Sequence, residues 1–156
     1  MANPIAKMKN AFSFGIAVYL IVFGSVGLYS VASYLTEIPL EWKICMTLSV
    51  FFLLYLALVV IGLCRVFKKT LPYLPFVASQ AIQIVSFSWL GVHLVFNGGL
   101  VAAAVLINNI TAFSFSFGAD FAFENNAKTD YLSVNAIPIV LLIAYKNQMT
   151  KHAARV

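Results

Sequence analysis

The chain has 156 residues, of which 62% are hydrophobic and only 10% are charged, against roughly a quarter charged in an average soluble domain. This composition excludes an ordinary soluble domain and indicates an integral membrane protein, whose first partner is the lipid bilayer. The net charge of +5 comes from basic residues in short loops and tails, where they orient a membrane protein, so no nucleic-acid partner is expected.

The first two predicted elements are membrane spans. Residues 10–36 and 44–64 contain no Lys, Arg, Asp or Glu. A helix needs about 20 apolar residues to cross the hydrocarbon, and it satisfies its own backbone hydrogen bonds there. We therefore predict span 1 at about 12–32 and span 2 at about 44–63. The first apolar run is longer than the core of a secretory signal, so it is interpreted as an uncleaved span.

Span 1 carries small residues at helical spacing, a pattern typical of a close helix contact. These candidate packing residues are Ser13, Ala17, Gly24 and Gly27. In span 2, Cys45 and Cys64 lie near opposite ends, nearly 30 Å apart at about 1.5 Å per residue, so no disulfide can join them. Cys64 precedes Arg65 at the expected cytosolic end and is a candidate for palmitoylation, with a buried, inert thiol as the alternative.

Span 3 is predicted at about 75–96, opened by Pro72 and Pro75. Polar residues recur along it at spacings that place them on one face of a helix: Ser79, Gln83, Ser86, His93 and Asn97. Polar side chains are costly in hydrocarbon, so this ridge is expected to face the inside of a bundle. It is interpreted either as hydrogen bonding between helices or as a polar pathway in which His93 senses or relays protons.

Three layouts compete for the rest of the chain. In the favoured one, a fourth span lies at about 127–145 and residues 98–130 form an external segment. Eight of the ten basic residues are then cytosolic, as the positive-inside rule requires, and all five acids are external. A second layout has five spans, with both 100–119 and 131–145 crossing. The third uses 100–119 as the fourth span and lets the last apolar run dip into the cytosolic face.

Residues 110–126 contain a period of two. Phe113, Phe115, Phe117, Phe121 and Phe123 occupy odd positions, with small or polar residues between them. Such alternation indicates an extended segment with rings on one face. In the favoured layout this segment lies outside, against the interface, and Asn109 in the sequence Asn-Ile-Thr is a glycosylation candidate.

The order of these features resembles the lysosome-associated four-span transmembrane proteins and their insect relatives. The residues that carry the resemblance are the basic turn of Arg65, Lys68 and Lys69, the entry 71–74 to span 3, and the closing pair 145–146. The resemblance implies a cargo or transporter adaptor of endosomes and lysosomes. The tail, 146–156, lacks the proline-tyrosine motifs of that family, and no functional residue is carried across.

The sequence therefore predicts an all-α integral membrane bundle, one transmembrane domain over 1–156, with four helices and both termini cytosolic. The chain contains no zinc helix, nucleophile elbow, phosphate loop or dinucleotide fingerprint, so no enzyme, metal or cofactor is expected. The expected function is a multi-pass adaptor or scaffold that packs against other membrane proteins or itself, in an endosomal, lysosomal or plasma membrane. The alternative is a small channel or transporter subunit with its polar pathway along span 3.

Overall fold

A computed structural model describes residues 4–37, 42–68, 72–89, 92–107, 110–125 and 130–153. This part of the chain forms helices and strands in the following order: α1 (Pro4–Glu37), α2 (Trp42–Lys68), α3 (Tyr73–Ile82), β1 (Val85–Trp89), β2 (Val92–Ile107), β3 (Ile110–Asn125), β4 (Tyr131–Asn135) and α4 (Ala136–Ala153).

The first two helices are long and apolar enough to cross a membrane, over Asn10–Thr36 and Ile44–Phe67. The prediction of apolar helices at spans 1 and 2 is confirmed, and these helices support the assignment to a membrane. They pack closely along each other. Tyr55 of α2 is fully buried at the centre of the core, where its ring contacts Phe96 and Phe121 of the sheet.

The prediction of an all-α four-span bundle is wrong, because the second half of the chain contains a four-stranded antiparallel sheet. The strands lie in the order β1-β4-β2-β3. The predicted span 3, at 75–96, is divided among three elements: α3 ends at Ile82, Gln83 caps it, and β1 and the start of β2 follow. The ten residues of α3 are about half of what a crossing needs. Alternation of Ser with β-branched and aromatic residues over 85–89 favours a strand there.

The remaining span predictions are also wrong. The alternative span 100–119 lies in β2 and β3, which pair along their whole length from Val92↔Asn125 to Ile107↔Ile110. Of the predicted fourth span 127–145, the described residues 131–135 form β4. Helix α4 begins only at Ala136, and its apolar part, Ala136–Asn147, is shorter than a span. A hairpin can replace these helices because each strand supplies the backbone partners of the other.

The phenylalanine alternation does lie in a strand, as the period of two predicts. β3 places Phe113, Phe115 and Phe117 on one face of the sheet, and Ser114 and Ser116 on the other.

The hairpin bends sharply in the middle, so that β2 returns towards its own beginning. Near its start, Leu94 of β2 pairs with Phe87 of β1, and near its end, Leu106 pairs with Leu132 of β4. Phe87 and Leu132 in turn pair with each other. The bend coincides with paired glycines, since Gly99 at φ +130° lies opposite Gly118 at φ +151°. These φ values are ones that other residues rarely adopt, so glycine forms the corner.

Candidate functional site

The predicted polar ridge does not form a helical face. Ser79 lies on α3, Gln83 at its C-cap, Ser86 on β1, and His93 and Asn97 on β2. The backbone of His93 pairs with those of Ser88 and Glu124, but the His93 side chain lies outside the described structure. A single helical pathway through these five positions therefore does not exist.

Gln83 joins α3 to the middle of β2. Its Nε2 donates to the Ser79 carbonyl at 3.0 Å, and its Oε1 accepts from the Gly98 N–H at 2.9 Å. The Ser79 hydroxyl donates to the Phe76 carbonyl at 2.8 Å. These buried polar groups have hydrogen-bond partners within the protein. This agrees with the interpretation of the ridge as structural hydrogen bonding, except that Gln83 bonds to a strand and not to a neighbouring helix.

Two more side chains accept hydrogen bonds from N–H groups on the same edge of β2. The Leu100 N–H donates to the Tyr19 hydroxyl at 3.1 Å, and the Ala102 N–H donates to Asn135 Oδ1 at 3.2 Å. The same Asn135 oxygen accepts from the Ile137 N–H at 3.1 Å, so Asn135 also caps the start of α4. The N–H groups of Leu100 and Ala102 therefore point away from β3.

The direction of these two N–H groups determines which backbone groups of β3 face outward. Residues directly opposite each other in an antiparallel pair either exchange both hydrogen bonds or both point outward. Leu100 pairs with Phe117 and Ala102 with Phe115, so the N–H groups of Phe115 and Phe117 point away from β2. Within the described residues, β3 pairs with β2 alone, and this outward row of backbone groups forms a bare sheet edge, which we call the β3 edge (residues 110–125).

We call the sheet inside out because part of it exposes aromatic rings while polar side chains are buried on its other face. The rings of Phe113, Phe115 and Phe117 are 88%, 75% and 72% exposed. On the opposite face, the polar side chains of Ser86, Ser88, Asn97 and Asn135 are buried. Transmembrane β structures have the same arrangement, with apolar residues outside and polar residues inside.

The polar face lines an open pocket of about 270 Å³, which we call the serine cavity. Its described lining consists of Ser86, Val95, Asn97, Val101, Ala103, Val105, Ile107, Ser114, Ser116, Tyr131 and Ser133. None of these side chains is charged. Asn97 Oδ1 is buried without a hydrogen-bond partner among the described residues.

The small-residue ridge of α1 lies against α2 of the same chain. A Cβ added at Gly24 would lie 2.7 Å from Val59 Cγ2 and 2.9 Å from the Tyr55 carbonyl oxygen, and one at Gly27 would overlap the Tyr55 ring. Gly62 of α2 gives the reciprocal approach, since its Cβ would lie 2.7 Å from the Ala17 carbonyl oxygen. Two backbones meet here, which leaves this ridge covered.

Ser13 has a different role from packing, because it binds Arg65. The Arg65 guanidinium is buried and donates from Nε to Ser13 Oγ at 2.6 Å and from Nη2 to Asn10 Oδ1 at 2.9 Å. Nη2 also donates to the Asn10 carbonyl at 3.2 Å. The sequence places Arg65 in a basic loop, and the only signal for this contact is the polar pair Asn10 and Ser13 one turn apart at the start of α1.

The modification candidates have no further structural support. Both cysteines are free, and Cys64 is half-buried, so its palmitoylation stays a prediction. Asn109 lies outside the described residues, and its glycosylation likewise stays a prediction. In the described part of the chain, no three His, Cys, Asp or Glu side chains are grouped as a metal site would need.

Comparison with known proteins gives no family. No protein-family model matches the chain, and neither a curated protein nor a solved structure matches it. The resemblance to lysosome-associated four-span proteins therefore stays an expectation, and any function has to be argued from the helical hairpin and the inside-out sheet.

Proposed function

We propose that this protein is a non-enzymatic membrane scaffold that captures an extended segment of a partner membrane protein along the β3 edge. The observation that carries the proposal is the inside-out sheet with its bare outer strand. Exposure of its aromatic rings to water is unfavourable, and so is exposure of its unpaired backbone groups to lipid.

The position of the sheet supports a location at membrane level. Its apolar face packs against the middle of the two long helices, where Phe117 contacts Phe23 of α1 and Phe121 contacts Tyr55 of α2. If α1 and α2 cross the bilayer, the adjoining rings of Phe113 and Phe115 lie in the same apolar medium. Lipid then replaces water around these exposed rings.

The charges at the helix ends support an orientation. The contact of Arg65 with Asn10 brings the end of α2 beside the beginning of α1. Lys7, Lys9 and Lys68 belong to the same two ends, and an excess of basic residues marks the cytosolic side. The N-terminus and the end of α2 are therefore assigned to the cytosol. The choice between an endosomal, lysosomal or plasma membrane rests on the resemblance alone.

The β3 edge supports the mode of recognition. An unpaired backbone N–H or C=O in hydrocarbon costs several kcal/mol, so a strand edge at membrane level favours a partner that pairs with it. An extended segment added to such an edge gains main-chain hydrogen bonds, and its alternate side chains select among partners. Here a matching segment would place apolar side chains beside the rings of 113, 115 and 117.

This mechanism differs from packing through the small residues of span 1, because α2 covers that ridge. The alternative of a channel along span 3 lacks a continuous helix, because α3 ends at Ile82 and Gln83 is hydrogen-bonded to Gly98 of β2. A scaffold of the proposed kind does not need His93, so His93→Gln should leave assembly unchanged at any pH.

A photocrosslinking experiment tests the proposal. A photoreactive phenylalanine analogue is placed at Phe117 in native membranes, with Tyr29 of α1, which is 75% exposed, as the control position. We expect a discrete protein adduct at 117 and none of the same size at 29. The adduct should persist with Phe115→Ala, which keeps the outward N–H, and disappear with Phe115→Pro, which removes it.

Two results would contradict strand addition. One is an equal adduct at both positions, and the other is an adduct at 117 that survives Phe115→Pro. Coexpression of two differently tagged copies identifies the partner further, because an adduct that carries both tags is a second copy of this chain.

A further inference from the structure

We infer that the serine cavity is a binding site for a small, neutral, polyhydroxylated solute. This inference rests on the lining of the cavity and is independent of the scaffold proposal, which rests on the opposite face and the outer edge of the sheet.

The pairing of the strands forms the wall of the serine cavity. β1, β4 and the two halves of β2 close on one another, and the corner at Gly99 and Gly118 allows β2 to turn. β3 extends the wall with Ser114 and Ser116. Because alternate residues of a strand point to the same face, a closed arrangement of this kind collects one polar set of side chains inside.

The lining combines hydrogen-bonding groups with small apolar surfaces. Four serines bring hydroxyl groups, each of which can donate and accept, and Asn97 brings an amide. Val101, Ala103 and Val105 lie among them. A polyol presents the complementary chemistry, because its hydroxyl groups alternate with C–H groups along a short carbon chain.

The buried amide oxygen indicates what the occupant must supply. Asn97 is 8% exposed, and its Oδ1 lacks a protein partner in the described structure. A buried acceptor of this kind is rare unless something donates to it. The donor is assigned to a hydroxyl group and not to a cation, because the described lining carries no negative charge to balance one.

The volume of the cavity is sufficient for a small solute. A volume of about 270 Å³ corresponds to roughly nine waters at about 30 Å³ each. A solute between glycerol and a single sugar ring fits this space.

Binding is tested on the purified full chain in a detergent without a sugar headgroup. The probes are glycerol, xylitol and glucose, observed by saturation-transfer NMR and titrated to obtain a Kd. Tetramethylammonium, of similar size but charged and without hydroxyl groups, is the control probe. We expect at least one polyol to bind and to be displaced by another polyol, and the control probe not to bind. Binding by none of the three polyols, or equal binding of the control probe, would overturn the inference.

Variants link the signal to the cavity. Asn97→Leu keeps the shape of the side chain and removes the acceptor, so it should weaken polyol binding by about tenfold. The matched control is Ser30→Ala, whose hydroxyl donates to the Val26 carbonyl on α1, away from the sheet. If Asn97→Leu does not fold, as judged by circular dichroism and elution volume, Ser116→Ala takes its place with a smaller expected loss. Binding that is unchanged in a folded cavity variant would show that the polyol lies elsewhere.

Discussion

The contact between α1 and α2 can be tested by adding one methyl group at two positions on the same helix. Gly24→Ala places a Cβ 2.7 Å from Val59 Cγ2 and 2.9 Å from the Tyr55 carbonyl oxygen, whereas a Cβ at Gly15 has nothing within 4 Å. Both substitutions make the same chemical change in the same helix. Their difference therefore isolates the cost of the close approach.

The expected magnitudes have opposite signs. Replacing Gly by Ala in a helix interior stabilises by about 0.8–1.0 kcal/mol, and Gly15→Ala should gain up to this amount. Overpacking a tight contact costs about 1–3 kcal/mol, and the upper half of this range applies at Gly24 because the Tyr55 oxygen belongs to the backbone and cannot rotate away. Gly24→Ala should therefore lose about 1–2 kcal/mol net.

Unfolding can be followed with a thiol-reactive dye, because Cys45 and Cys64 are both free and half-buried. For a chain of this length about 1 kcal/mol moves the midpoint by roughly 2–4 °C, so the two variants should separate by several degrees around the parent protein. Midpoints that shift together, in either direction, would refute the close approach of α1 and α2 at Gly24.

Two further predictions concern buried polar groups that the sequence pattern does not single out. Arg65→Lys keeps the charge but cannot reproduce the fork that binds Ser13 and Asn10, so it should destabilise by about 1–3 kcal/mol, measured by the same thermal assay; an unchanged midpoint would mean that charge alone matters. Asn135→Ala removes the oxygen shared by Ala102 and Ile137 and should cost about 1–2 kcal/mol, with a loss of helix signal in circular dichroism; a stable variant with full helix content would contradict the double role of Asn135.

The first two helices could be predicted from the sequence because an uninterrupted apolar run of this length has essentially one solution in lipid. Likewise, the alternation at Phe113, Phe115 and Phe117 predicts a strand, because no helix repeats at two. Both patterns are local in the sequence. The long apolar run excludes a strand, and the repeat at two excludes a helix.

The error at span 3 has an equally local cause. A spacing of four residues, as between His93 and Asn97, fits one helical turn and also two strand repeats, so it cannot distinguish the two. The nearer neighbours Ser86 and Ser88 repeat at two and favour a strand, and Gly98 and Gly99 break a helix.

Other contacts could not be predicted because they depend on distant parts of the chain. The binding of Arg65 by Ser13 and the pairing of β4 with β2 arise only once the helices and the sheet have formed. Two of the five polar residues, Ser79 and Gln83, belong to α3 and its C-cap, and two others, Ser86 and Asn97, lie in the serine cavity. The sequence therefore identified these residues but not their grouping, and it did not single out Asn135.

The corner of the hairpin gives the last prediction, because its two glycines separate backbone conformation from steric contact. Gly118 has φ +151° and open space beside it, so Gly118→Ala should cost only the conformational penalty of about 1–3 kcal/mol. Gly99 has φ +130° and faces the Tyr19 ring, so Gly99→Ala should add a steric loss of about 1–3 kcal/mol. In a Tyr19→Ala background the steric loss should vanish, which leaves Gly99→Ala about as costly as Gly118→Ala.

The dye assay is applied to five proteins: the parent, Gly99→Ala, Gly118→Ala, Tyr19→Ala, and the double variant of Tyr19→Ala with Gly99→Ala. Equal losses for the two glycine variants in the parent protein, or a Gly99→Ala loss that Tyr19→Ala does not reduce, would show that the bend is not held against α1.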